Sequence, residues 1–296
     1  RVFFCFFCCV SRWGSMIKYI SIFLFTVNSL FSTESVMSAL VRVDQGFIDY
    51  ANRVIISRGT ASVIQKTTSN SNSLSIEKNL KFSKGEAKSR AREHLMELVK
   101  LVNFDDRTVG EIMGEDPLIE SRIKSLVGSA YQQGEIEYLE RSEVAIALAV
   151  KMSGIAEILV DANGHLNENL SQPAFLMTRN SVPKSERASG IVIDARNIYH
   201  VPAMVPKIFN ENDNLVYGPR HYTRSRSVNR GPMGYAHSMK DGNVVRRVGK
   251  NPIIIEAISS DDKVNLTISN SDAEKIRDVE KKFGLLTNCK VLVLLK

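Results

Sequence analysis

The chain has 296 residues, of which 44% are hydrophobic and 24% charged, with a formal net charge of +7. That composition excludes disorder of the whole chain and leaves room for two domains with cores of ordinary size. Between Pro219 and Lys250 eight basic residues face a single acid, Asp241, so this one segment carries the whole excess and the rest of the chain is neutral.

At the N-terminus, residues 16–32 place Lys18 before an apolar run of about a dozen residues with small polar residues after it, the layout of a secretory signal peptide. Residues 1–15 read as sequence upstream of the true start, and cleavage is expected between Ser32 and Ser35. An uncleaved anchor is the alternative, for which the apolar run falls short of the ~20 residues that span a bilayer. Residues 1–35 are therefore assigned to a cleaved signal, and the mature protein to the periplasm or the outer membrane. Cys5, Cys8 and Cys9 fall in the lost part, which leaves Cys289 without a disulfide partner.

Residues 36–160 read as one α+β domain. Phe47-Ile48 and Val54-Ile55-Ile56 flank the turn-forming Ala51, Asn52 and Arg53, which predicts a hairpin. Residues 65–79 are rich in Thr, Ser and Asn and read as a flexible insertion. Ser83 and Glu86 have capping-box spacing, and the helix after them puts Ala87, Ala91, Leu95, Leu98 and Val102 on one face. A second helix starts at Asp116-Pro117 and buries Ile119, Ile123, Leu126 and Val127. Residues 135–139 and 144–150 form a second hairpin, in which Val144, Ile146, Leu148 and Val150 alternate with alanines.

Residues 161–188 mix Asn, Gly, Ser and Pro and read as a linker; residues 189–296 form a second α+β domain. Strands are expected at 190–196, 203–209, 215–217, 252–258 and 263–268. Ser271 and Glu274 suggest a helix cap, Ile276 and Val279 its buried side, and Gly284 its left-handed stop. Residues 291–295 are apolar on both faces, as a central strand would be. The predicted fold class is α+β: two small domains, each an antiparallel or mixed sheet with one or two packed helices.

Nothing in the sequence has the spacing that catalysis or a cofactor demands. His94, His165, His200, His221 and His237 are not placed as zinc ligands on one helix or hairpin. Phosphate-binding, dinucleotide and hydrolase motifs do not occur, and the carboxylate pairs sit at turns or caps. The expectation is a non-enzyme without cofactor or metal. The basic segment offers Arg220, Arg224, Arg226, Arg230, Arg246 and Arg247 as partner-binding residues on an exposed loop. Tyrosines interleave them as in an RNA-binding segment, but an exported protein meets lipid phosphates and acidic wall polymers rather than nucleic acid. Asp194 and Arg196 point the same way from one strand. They could hold an anion, or Asp194 could pair with an arginine of the basic segment and pin it to the sheet.

Residues 190–196, 206–218, 247–255 and 268–274, in that order, resemble the C-terminal module of a bacterial envelope family of twenty-kilodalton lipoproteins. That family is related to the flagellar basal-disk lipoprotein and to part of a flagellar assembly protein. The first half resembles the family more loosely, through its helix and the 138–150 hairpin. The resemblance implies a non-catalytic scaffold or assembly protein at the flagellar motor that associates with itself and with flagellar or outer-membrane proteins. The family's lipid anchor needs a cysteine after the apolar run, and Leu30 to Ser35 offers none. The alternative is an outer-membrane-associated surface protein that binds anionic lipid or wall polymer through residues 219–250.

Overall fold

The computed structural model describes residues 39–63, 73–140, 142–162, 183 and 187–296. The signal segment, Cys5, Cys8, Cys9, His165 and most of the 65–79 and 161–188 segments lie outside the described residues.

Strands β1 (Leu40–Val43), β2 (Gly46–Asp49) and β3 (Val54–Ser62) form an antiparallel meander. The expected hairpin is its second turn, where Asp49 pairs with Val54 and the Asp49 carboxylate accepts the Asn52 amide at 2.8 Å. Helix α1 (Ser73–Lys100) lies across β3 and buries the expected stripe of Ala87, Ala91, Leu95 and Leu98. Gly59 permits this: a Cβ there would stand 2.1 Å from the Ala87 carbonyl oxygen, a backbone approach open only to glycine. The helix begins upstream of Ser83, contrary to the expected cap. Ser83 is buried inside it and its hydroxyl donates to the Asn79 carbonyl four residues back at 2.9 Å, so the helix runs through.

Helix α2 (Val109–Glu115) has the capping box: Thr108 Oγ1 accepts the Glu111 amide at 3.2 Å and Glu111 accepts the Thr108 amide at 2.6 Å. Helix α3 (Pro117–Gly128) starts as expected, with Asp116 accepting the Leu118 amide at 2.8 Å. The chain returns through β4 (Tyr131–Gln132), β5 (Glu137–Leu139) and β6 (Glu143–Lys151); β4 and β5 both pair with β6, which pairs in turn with β3. Helix α4 (Met152–Ala162) follows β6 directly and buries Met152, Ile155 and Leu159.

The second sheet is built from β7 (Gly190–Asp194), β8 (Ile208–Asn210), β9 (Leu215–Tyr217), β10 (Met233–Ala236), β11 (Pro252–Ser259), β12 (Leu266–Ile268) and β13 (Val291–Leu294). Their order is β10-β13-β7-β11-β12-β8-β9, parallel from β10 to β11 and mixed beyond. The last strand is interior and fully buried, as its two apolar faces require. The α+β class is as expected, with one antiparallel and one mixed sheet.

Residues 219–250 are not an exposed loop. They contain helix α5 (Arg224–Arg230), strand β10 and helix α6 (Gly242–Val248). Gly231 and Gly249 end the two helices with φ of 72° and 78°, values that glycine reaches without strain. Val244 and Val248, one turn apart, seat α6 on Val192, Leu292 and Leu294. Helix α7 (Asn270–Phe283) is capped by Ser269, which accepts the Asp272 amide at 3.0 Å, not by Ser271. Both serines fit the capping pattern, and burial of Ala273 and Ile276 selects the earlier one. Gly284 ends it at φ 62°, as predicted.

The two sheets share one hydrophobic core, continuous from Ile48 and Leu95 to Ile193 and Val293. Backbone bonds reinforce the junction: Met204 and Val205 donate to the carbonyls of Asn103 and Phe104 at 2.9 and 2.6 Å.

Candidate functional site, an arginine-lined pocket

Four guanidinium groups meet where the β2–β3 turn faces α5 and α6. Arg53 closes the turn in the left-handed region, at φ 57°, where a non-glycine residue is strained. Its side chain donates from Nη2 to the Val228 carbonyl at 3.1 Å, which ties the turn to α5. Arg230 ends α5, and Arg246 and Arg247 lie in the last turn of α6.

Arg247 is turned inward and donates from Nε to the Val291 carbonyl at 2.8 Å, from Nη1 to the Arg230 carbonyl at 2.7 Å and from Nη2 to the Gly231 carbonyl at 2.7 Å. Arg230 answers by donating to the Arg247 carbonyl at 2.7 Å. Two like charges thus exchange backbone bonds without an acid between them. Gly234 leaves space for this, since a Cβ there would fall 2.7 Å from the Arg247 Cδ. Arg246 is exposed and donates to Asn243 Oδ1.

Between these groups lies a cavity of about 390 Å3, lined also by Tyr50, Tyr235, Asn52, Asn229 and Asn243. Among the described residues no carboxylate lines it. Burial pushes the Arg247 pKa down to about 10, and Arg230 and Arg53 press in the same direction. Tyr217 and Cys289 oppose this, but burial raises the pKa of each, so both are neutral at pH 7 and neither is a counterion. The pocket is therefore a concentration of positive charge in a partly desolvated place, where an anion would gain most.

Of the six arginines singled out in the basic segment, Arg230, Arg246 and Arg247 converge here. The other three do not. Arg224 pairs with Glu157 of α4 at 2.8 Å, Arg220 reaches the Leu215 carbonyl at 3.4 Å, and Arg226 lies half-buried in the first turn of α5. Arg53 was not singled out as a site residue: the sequence marks it as a turn residue, and nothing local shows which distant segment the turn will face. Asp194 takes its bond from Arg196, Nε to Oδ1 at 2.8 Å, instead of from the basic segment. That bond holds the Asp194 carboxyl below its ordinary range, and the pair is a local clasp at the end of β7. Among the described residues no group of three His, Cys, Asp or Glu side chains could hold a metal ion.

The fold defines an α+β protein with two sheets on one core and a cationic cavity between the β2–β3 turn and the second sheet's helices. Residues 190–296, from the start of β7 onward, are similar to the family described as the second domain of the Treponema pallidum protein Tp0624. No curated protein matches the chain.

Proposed function

We propose that this chain is a non-catalytic binding and assembly protein of the bacterial envelope, and that it holds an anionic group of its partner in the arginine-lined pocket. The observation that carries this reading is the convergence of Arg53, Arg230, Arg246 and Arg247 on one cavity without a carboxylate among the described lining residues. The resemblance of segments 190–196, 206–218, 247–255 and 268–274 to the twenty-kilodalton lipoproteins suggests an envelope setting, and their flagellar relatives suggest the motor as one location. Charge of one sign in a concave site raises the local concentration of an oppositely charged partner and fixes its orientation.

Purified protein titrated against vesicles of anionic and of neutral lipid, and against an acidic wall polymer, tests this. Binding to an anionic surface should weaken as salt rises, because the screening length falls from ~10 Å at 0.1 M to ~3 Å at 1 M. It should also fall in Arg246→Gln, whose side chain is exposed and whose loss spares the fold. Salt-independent binding of equal strength to neutral and anionic vesicles would refute the reading.

A second reading, self-association into a scaffold, draws on β11. Ile254 and Ile258 lie on the same side of that strand and are 61% and 48% exposed. Sedimentation over a range of concentrations decides it, since a strict monomer at every concentration rules the scaffold out.

A further inference from the structure

The arginine-lined cavity is not isolated. A second cavity, also about 390 Å3, shares Asn52, Arg53 and Asn229 with it and extends along the outer side of the first sheet toward Tyr131 and Gln133. Each is of a size that accepts a small ligand, at the lower end of the ~300–1,000 Å3 range. Their chemistry differs. The first is lined by guanidinium groups; the second adds Tyr131, Gln133, Ser153 and Lys151 to the shared amides, and no carboxylate among its described lining.

Side-chain amides and hydroxyls both donate and accept, which matches the paired donor and acceptor character of neighbouring sugar hydroxyls. A half-exposed tyrosine ring supplies an apolar face for the C–H side of a pyranose. Tyr131 is placed for this by the β4 pairing with Ala149, and Gln133 is fixed beside it where its backbone N–H donates to the Ala147 carbonyl at 2.9 Å. Arg53 stands at the junction. Its strained backbone and its bond to Val228 keep the guanidinium between the two cavities, where it can reach an oxyanion on one side and a hydroxyl on the other.

The geometry points to a saccharide bearing an oxyanion as the ligand, with its phosphate or carboxylate among Arg53, Arg230 and Arg246 and its sugar ring against Tyr131 and Gln133. This rests on the anion-binding reading above and specifies its ligand. The same chemistry occurs on a membrane glycolipid and on a wall polymer.

Titration calorimetry of the full chain with glucose 1-phosphate, glucuronate, inorganic phosphate, glucose and AMP tests the assignment. Glucose 1-phosphate should bind about tenfold more tightly than inorganic phosphate, a step of ~1.4 kcal/mol. Tyr131→Ala and Gln133→Ala should remove that advantage and leave phosphate binding unchanged, while Arg246→Gln should weaken every anion; unchanged melting of the three variants shows that they fold. If phosphate and glucose 1-phosphate bind equally, the saccharide assignment falls and the anion reading stands. If neither binds at low salt, both fall. AMP binding more tightly than either sugar acid would also overturn the assignment. Vesicles with a phosphorylated glycolipid displacing glucose 1-phosphate identify a membrane source, a soluble phosphorylated polysaccharide displacing it identifies a polymer, and displacement by neither overturns the saccharide.

Discussion

His200 is 1% exposed, and neither ring nitrogen has a hydrogen-bond partner. It lies 6.2 Å from the Tyr235 ring in a stacked arrangement. Burial lowers its pKa from 6.5 to about 4, with Asp262 opposing weakly. The unfolded chain then binds the proton more readily than the folded one. Stability from this residue is complete above pH 6.5 and is lost as pH falls toward 4, by about 3 kcal/mol over that window. Urea unfolding of the wild type and of His200→Phe between pH 4 and 7 should show a stability difference that is constant near pH 7 and shifts against the wild type on acidification. Parallel curves would mean that the imidazole is solvated. Sequence spacing does not reveal this burial, because the segment around His200 has no periodicity and is fixed by bonds from Met204 and Val205 to the other half.

Elements with a strong period were legible. The α1 stripe and the alternation along β6 each bury a whole face, so a single residue pattern determines the outcome. Caps were less so: serine three residues before an acid occurs at Ser83, Ser269 and Ser271, and only packing chooses among them. The sequence hides the helices of the basic segment because Val228, Val244 and Val248, the residues that seat α5 and α6, are sparse among arginines and glycines. It offers the three converging arginines but not the pocket, since Arg53 comes from a turn remote in sequence. Close packing of α1 on β3 gives a direct test. Gly59→Ala sets a methyl against the Ala87 carbonyl at 2.1 Å and the Ala91 nitrogen at 2.3 Å, both backbone atoms that cannot rotate away. It should cost ~3 kcal/mol or more, the upper end for overpacking. Gly85→Ala, on the same helix with nothing within 4 Å, should stabilise by about 0.5–1 kcal/mol. Chemical denaturation of both variants distinguishes backbone contact from general loss of glycine.

At the scale of the molecule, the continuous core makes the two sheets thermodynamic partners. Leu95→Ala removes a fully buried side chain beneath α1 and should cost ~2–5 kcal/mol. Because the cluster extends to Ile193 and Val293, calorimetry should show one transition, shifted as a whole. Two transitions, with only one moved, would show that the halves melt independently. The cavity has the same dependence on both halves, for Asn52 and Arg53 come from the first sheet and Arg230, Arg246 and Arg247 from the second. A gene that borrows only the part matching residues 190–296 inherits three of the four guanidiniums and leaves Arg53 behind. The part shared with that family therefore carries an incomplete ring of guanidiniums, and only a chain that joins both sheets completes the lining.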